Sequence, residues 1–498
     1  MSGREWREAS DLRQRLLGVA LVLAVAAGLR FWHLASGLPG AVWAGEQDLI
    51  ARVLHAMRTG DLNPHTFGSP ALYFEVQLLV ASARFLTGAA HGFWHVLDQF
   101  RPAEAYLWGR TASALIGTAT VLLVFEAGAQ WGGRHALLAA GLLAVLPAHI
   151  QASQLIGPGV LLTFFTTVAL LLSLRALERG SLRTFTLAGV AAGLAAATSY
   201  RGSLVLLLPL VAVWMSSGTS APRRSGALAT IGAFALAFLL AAPYTVLDLP
   251  AFLNAAGAAL AGGSTPPPLA LAGALVANLA WPAFVLAIAG FILAIVRSVT
   301  GPAHARWVLL VGFPLVYLGS MSIGASGSAD VLLLPVLPFV TILAAIAVIS
   351  GVSLLRRFSI PRAPRQLLIA GLTIAAILPP LVSSVNADRA RGRPWTSALA
   401  YGWIRAHVPA GACVAVGNEA LALSGTRYRP VAVDLAPGRP LDPRVAGAAQ
   451  YLVATPDAGR PAGPAVTTVY RVDPDAGRPG PSLVIYRLAW PESAGPGH

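Results

Sequence analysis

Lysine is missing from this chain: all 35 basic side chains among its 498 residues are arginine. Arginine without lysine, beside abundant alanine, glycine and proline, suggests a high-GC bacterial genome and says nothing about chemistry. Charge of either sign is scarce. Only 11% of the residues are charged, against about 25% in an ordinary soluble domain. A soluble chain of this length could bury a large core, but it would need a polar skin, and there is too little polar material to make one. Cysteine is almost missing as well. Cys413 stands alone, which excludes an intramolecular disulfide and a cysteine-based zinc cluster; a small buried residue is its plain reading. What the chain does have is apolar length. Hydrophobic residues make up 56% of it, and mean hydropathy is +0.67. The apolar residues gather into runs long enough to cross a bilayer, roughly 20 residues each. The chain therefore reads as a polytopic α-helical membrane protein.

The runs lie at about 15–33, 71–90, 105–127, 135–153, 160–177, 184–199, 202–216, 226–247, 269–296, 306–325, 330–354 and 365–386. The net charge of +14 could signal nucleic acid. Here the arginines sit between the runs, as they do in cytoplasmic loops, so no nucleic-acid partner is expected. Arg4, Arg7, Arg13 and Arg15 place the N-terminus in the cytoplasm, and the first run, though it resembles a signal sequence, reads as a retained span. If every run crossed, the loop at Arg134 and all later basic loops would fall outside. If run 71–90 does not cross, they fall inside. That run carries Glu75, Gln77 and Arg84, which are costly at bilayer depth, so it reads as an interfacial or re-entrant helix. Roughly eleven spans remain.

This topology implies a bacterial cytoplasmic (inner) membrane protein with a transmembrane domain over 1–387 and an extracytoplasmic domain over 388–498. The first outer loop is long, about 35–104; the second is short, around 154–159; the third, 248–268, is rich in glycine and proline and reads as a flexible loop. In the tail, a helical stretch at 395–407 precedes apolar runs at 412–416, 430–434, 450–454 and 482–488, the pattern of a small α/β domain. Segment 456–482 is so rich in Pro, Gly and Asp that part of it is expected to be mobile.

Few residues outside the runs could carry chemistry. Loop one holds Glu46, Asp48 and Arg52, then Arg58 to His65. An acid in such a loop can act as a general base if a hydroxyl comes within hydrogen-bond reach. Glu46 and Asp48 point in different directions on a helix and do not make a pair; solvated loop acids are the plain alternative. A loop or helix-end hydrogen bond is the plainer account of His65 and His149, a snorkelled span end of Glu126, a helix cap of Asp248, and a helix N-terminal charge of Asp330.

Several segments together carry a resemblance. They are Leu29 to Leu34, Arg58 to His65, Ser69-Pro70-Ala71-Leu72-Tyr73, Leu146-Pro147-Ala148-His149 and Leu162-Thr163-Phe164-Phe165. They continue with Ala195 to Tyr200, Pro243-Tyr244 with Asp248 and Pro250, Leu334 to Pro338, and Trp403-Ile404 through Ala412. In this order and spacing the chain resembles the polyprenyl-phosphate-sugar-dependent glycosyltransferases of the GT-C fold, above all bacterial members of the protein O-mannosyltransferase and lipid A aminoarabinose transferase group. The resemblance implies a lipid-phosphate sugar donor in a membrane groove, an extracytoplasmic acceptor (glycan, lipid or protein) and no other cofactor. A loop-one carboxylate would deprotonate or orient the acceptor hydroxyl, and basic side chains would hold the departing phosphate.

The chain departs from that family at polar positions. The usual Asp-Glu pair of loop one is Gly45-Glu46, the Pro-Asp of loop two is Pro158-Gly159, the preceding histidine is Gln154, the lysine before Tyr200 is Ser199, and the Arg-Tyr before Leu334 is Val331-Leu332. Two readings follow. In one, Glu46 or Asp48 is the base, Arg201, Arg52 and His65 hold the donor phosphate, and Tyr200 and Gln154 face substrate; arginine suits phosphate because its planar fork grips two oxygens. In the other, catalysis is lost and the chain is a lipid-sugar-binding or partner-binding scaffold. A secondary transporter ranks last, since neither internal repeats nor mid-span charges are evident. No metal site is expected, because Gly45 and Gly159 stand where converging acids would be needed.

Overall fold

The computed structural model describes residues 3–38, 44–216, 222–262, 267–300, 304–321, 328–354, 361–417, 423, 427–433, 435, 449–456, 465–475 and 480–489. The chain opens with α1 (Gly3–Phe31), α2 (Ala44–Thr59), α3 (Leu72–Ala90) and α4 (Pro102–Gly128). α5 (Gly133–Val145) and α6 (Pro147–Gln154) meet at a bend of 60°, where Pro147 interrupts the helical ladder. α7 (Pro158–Arg179) starts on a proline, whose missing N–H costs nothing there, and stops at Gly180, which is left-handed at φ 54° and returns its N–H to the Ala176 carbonyl. Ser181 then caps α8 (Leu182–Thr198) by accepting the Thr184 N–H. A 3₁₀ segment, Tyr200–Leu206, leads into α9 (Leu207–Met215), followed by α10 (Arg223–Ala241), α11 (Tyr244–Leu247) and α12 (Leu249–Gly262). The membrane part is completed by α13 (Pro268–Thr300), α14 (His304–Ser320), α15 (Ala329–Leu333), α16 (Leu337–Leu354) and α17 (Arg362–Arg391).

Over the described residues every run expected to cross is mainly helical; 322–325 of the run at 306–325 lie outside them. Among the described residues, however, seven helices are long and apolar enough to span a membrane, or eight if the bent α5–α6 pair is one span. The shortfall from roughly eleven is one of length: α8 and α14 have 17 residues each, and the apolar stretch Tyr200–Met215 is shorter still. α3, with its two charges, is outside the set. The third outer loop differs from expectation, because most of it is the Ala- and Leu-rich helix α12; residues 263–266 lie outside the described residues.

The chain packs as two compact units. The first comprises 1–32, 60–79 and 109–385. Its centre is α7 and the α15–α16 span, 72% and 83% buried over their apolar windows, so these two are wrapped by other helices while α10 and α17, at 22% and 17%, carry the outward apolar surface. Two helix contacts are very close. A Cβ on Gly189 or Gly193 of α8 would come within 2.3 or 2.4 Å of the backbone carbonyl of Thr230 or Phe234 on α10, the small-xxx-small device that lets membrane helices touch backbone to backbone.

The second unit comprises 33–59, 80–108 and the tail from 386. Its sheet has five strands, β1 (Cys413–Gly417), β2 (Arg429–Val433), β3 (Tyr451–Ala454), β4 (Ala465–Val472) and β5 (Leu483–Ala489), in the order β2-β1-β3-β5-β4. β1 runs parallel to β2 and β3; β5 runs antiparallel to β3 and β4. Side chains alternate between faces. Val414, Val416, Val453 and Ile485 pack with Ala400 and Ile404 of α18 (Thr396–His407), while Ala415, Leu452 and Val484 form a second cluster. β4 lies inside the segment expected to be partly mobile. Its sequence, AVTTVYRV, is β-branched from Val466 to Val469 and pairs with β5 along its length except for a register shift between Thr468 and Tyr470, so local strand chemistry overrides the flanking Pro and Gly. In the same unit Arg84 of α3 is held by Glu104 at 2.9 Å and lies 4.8 Å from the Trp94 ring, which offsets the cost of its charge.

Candidate active site

Glu46 and Asp48 both lie in the first turns of α2, and helical geometry sends them apart. Glu46 is 2% exposed, whereas the Asp48 side chain is 69% exposed and is bound by Arg52, one turn on, at 3.0 Å. Asp48 and Arg52 thus neutralise one another at the surface, and the buried carboxylate is Glu46. Gly45 beside it has no atom within 4 Å of where a Cβ would stand.

The remaining expected residues belong to the first unit. After α8 the chain turns sharply at Ser199. Gly202 tucks beneath the last turn, so close that a Cβ would meet the Ala195 carbonyl at 2.1 Å, and its N–H binds the Ser199 carbonyl at 2.7 Å. The turn presents Tyr200 and Arg201. The Tyr200 hydroxyl donates to the Phe67 carbonyl at 3.2 Å, and its ring lies 5.7 Å from Phe252. Arg201 is half-buried. Its Nη1 donates to the Ser320 carbonyl and hydroxyl at 3.1 and 3.4 Å, and its other nitrogens have no hydrogen-bond partner among the described residues. One edge of the fork is pinned and the rest is left able to donate.

His65 sits two residues before Phe67. It is left-handed at φ 52°, and its Nε2 lies 2.8 Å from Asp61. Asp61 also accepts the Asn63 N–H, and the Asn63 amide donates to Asp248 at 3.1 Å, so the Asp248 side chain ties the 61–65 turn rather than capping a helix. The Gln154 amide is buried and donates to the carbonyls of Leu29 and Trp32 at the end of α1. Position 159 is crowded: a Cβ on Gly159 would lie 2.7 Å from Leu334 Cδ1. Among the described residues no group of three or more His, Cys, Asp or Glu could hold a metal ion.

Sequence reasoning missed a buried polar network at the α5–α6 break. Pro147 offers no N–H to the Leu143 carbonyl, and the bend strands the Ala144 and Val145 carbonyls too. Each is satisfied from afar. Arg30, fully buried, donates to Leu143 at 3.3 Å and to Ala144 at 3.1 Å. Ser384 of α17 donates to Val145 at 2.7 Å. The Ala148 N–H, freed by the same bend, goes to Asn278 Oδ1 at 2.7 Å, and the Asn278 amide donates to Asp330 at 2.7 Å. Arg30 Nη2 also lies 2.8 Å from His149 Nδ1; arginine only donates, so Nδ1 accepts and the imidazole proton is on Nε2. The signal was present: a proline inside an apolar run announces carbonyls that need donors.

Known proteins match this architecture along nearly its whole length. ArnT from Cupriavidus metallidurans in the apo state superposes with a TM-score of 0.60 at 15% identity, over 98% of this chain and 100% of that one. ArnT bound to undecaprenyl phosphate gives 0.56 at 14%, over 96% and 99%. The apo oligosaccharyltransferase of Archaeoglobus fulgidus gives 0.57 at 12%, over 89% of this chain and 69% of that one. The chain has the GT-C fold. In sequence, the family profile of dolichyl-phosphate-mannose-protein mannosyltransferases matches residues 107–246. That stretch of the GT-C fold contains Gln154, Tyr200 and Arg201 but neither loop-one acid. No curated protein sequence matches the chain.

Proposed function

We propose that the chain is an integral-membrane glycosyltransferase that moves a sugar from a polyprenyl-phosphate carrier to an acceptor outside the cytoplasm. The GT-C fold supports the reaction class, and two proteins sharing it are described with undecaprenyl phosphate or dolichol phosphate bound. The observation that carries the reading for this chain is Arg201, a guanidinium pinned on one edge by Ser320 whose other nitrogens have no hydrogen-bond partner among the described residues. In this reading an acceptor hydroxyl attacks the anomeric carbon and its proton passes to a carboxylate, for which the loop-one sequence offers Glu46. The bond from that carbon to the phosphate oxygen breaks, and polyprenyl phosphate departs against Arg201. A guanidinium fork facing the phosphate oxygens stabilises the charge that develops on them.

The test is transfer in membranes from a panel of radiolabelled polyprenyl-phosphate sugars. Glu46→Gln should abolish transfer. Arg201→Ala should lower it about 10²–10³-fold, and Arg201→Lys should restore part. Unchanged turnover in both Glu46→Gln and Arg201→Ala would refute the assigned residues. A scaffold reading keeps one specific support, since a side chain at position 159 would have to displace the end of Leu334; it requires donor-lipid binding with no turnover in the wild type.

A further inference from the structure

At the turn between α7 and α8 lies a cavity of about 410 Å3, lined by Arg175, Arg179 and Arg183, the hydroxyls of Ser181 and Thr184, and the side chains of Leu172 and Leu187. Gly180 brings these groups together. Its left-handed φ reverses the chain within one residue, so the last turns of α7 and the first turn of α8 face a common hollow. Arg175 and Arg179 are four apart on α7 and share a face.

Among the described residues the charge there is only partly balanced by protein. Arg175 is paired with Glu126 at 3.3 Å, and the nearby Glu178 is paired with Arg306. Arg179 and Arg183 have no carboxylate partner among the described residues. Arg183 is also badly placed for its own helix, because the first turn of α8 carries the positive end of the helix dipole, which favours an anion and repels a cation. Two exposed guanidiniums with no carboxylate partner among the described residues line one cavity, beside the Ser181 and Thr184 hydroxyls, which bond to each other at 2.7 Å. The chemistry they lack is a phosphate.

The walls identify its source. Leu172 lies on α7, and Leu187, 45% exposed, lies on α8, so the polar end of the hollow continues into the apolar flank of the two helices. A free phosphate needs no such flank; an acyl chain does. We infer that this cavity holds the headgroup of an anionic phospholipid, with the phosphodiester between Arg179 and Arg183 and an acyl chain along Leu172 and Leu187. The site is independent of the proposed transfer reaction and of its substrates.

The test is native mass spectrometry of the purified full chain in detergent, offered dioleoylphosphatidylglycerol, dioleoylphosphatidylcholine or inorganic phosphate. The wild type should retain phosphatidylglycerol over phosphatidylcholine. Arg179→Ala with Arg183→Ala should lower phosphatidylglycerol retention about tenfold with helical circular dichroism unchanged. Leu187→Trp, which narrows the apolar flank and leaves every charge, should lower it as well and covers the case in which the double variant fails to fold. Equal retention of the two lipids by the wild type, or undiminished retention in Leu187→Trp, would overturn the proposal. Displacement of the lipid by millimolar inorganic phosphate would overturn it in favour of a soluble anion.

Discussion

Arg30 and Arg201 are the same residue type put to opposite uses. Arg30 gives its terminal nitrogens to the Ala26 carbonyl, two stranded helix carbonyls and one imidazole, so its charge is consumed by structure. Arg201 gives one nitrogen to Ser320, and its others have no hydrogen-bond partner among the described residues. The two glycines that replace the expected acids differ in the same way. A Cβ at Gly45 would meet no atom of the described residues within 4 Å beyond its chain neighbours, and the position lies in the first turn of α2, where a carboxylate suits the helix dipole. At Gly159 an added side chain meets Leu334, itself buried. Gly45→Asp should therefore fold as well as the wild type and, under the proposed reaction, raise transfer. Gly159→Asp should cost about 1–3 kcal/mol from overpacking alone, read as a drop in thermal unfolding temperature in detergent. Equal stability of the two variants would contradict the packing described. The opposed directions of Glu46 and Asp48 were legible from their spacing. Their difference in burial was not, because it depends on what packs against α2.

At the scale of elements, helix breaks matter more than helix lengths. The α5–α6 bend leaves three carbonyls and one N–H to be satisfied by side chains from α1, α13 and α17. Asn278 bridges the Ala148 N–H and Asp330, so Asn278→Ala unpairs a buried donor and should destabilise the fold by about 1–3 kcal/mol. Asn278→Asp keeps the acceptor for Ala148 but sets a carboxylate against Asp330, so it should be no better. Unfolding in graded denaturing detergent would measure both; an Asn278→Ala transition at the wild-type position would show the network to be dispensable. The runs themselves were readable from hydropathy, since apolar length is local. Pro147 marked a break, but nothing local to it names Arg30, Asn278 or Ser384 as the groups that answer it. β4 escaped for the reverse reason: its alternating β-branched residues were overshadowed by the Pro- and Gly-rich sequence on either side.

For the whole molecule, arginine placement predicts a cytoplasmic N-terminus and an external tail. A single native cysteine makes this easy to check. In a Cys413→Ser background, a cysteine at Asp475 should react with a membrane-impermeant maleimide in intact spheroplasts, whereas one at Arg297 should react only after permeabilisation. The reverse pattern would invert the topology and remove the proposed reaction from the outer face. The fold was legible at this scale because order and spacing of many weak motifs are a global property. The packing of loop-one segments 33–59 and 80–108 in one unit with the tail was not, since it joins stretches far apart in sequence.

The broken helix pair also sets a schedule for biogenesis. Arg30 is synthesised more than a hundred residues before the carbonyls it serves and is waiting when they emerge from the ribosome. Ser384 follows Val145 by 239 residues. Until that late segment is in place, the Val145 carbonyl lacks its Ser384 donor. The last membrane helix therefore acts as a latch that closes a fold begun with the first.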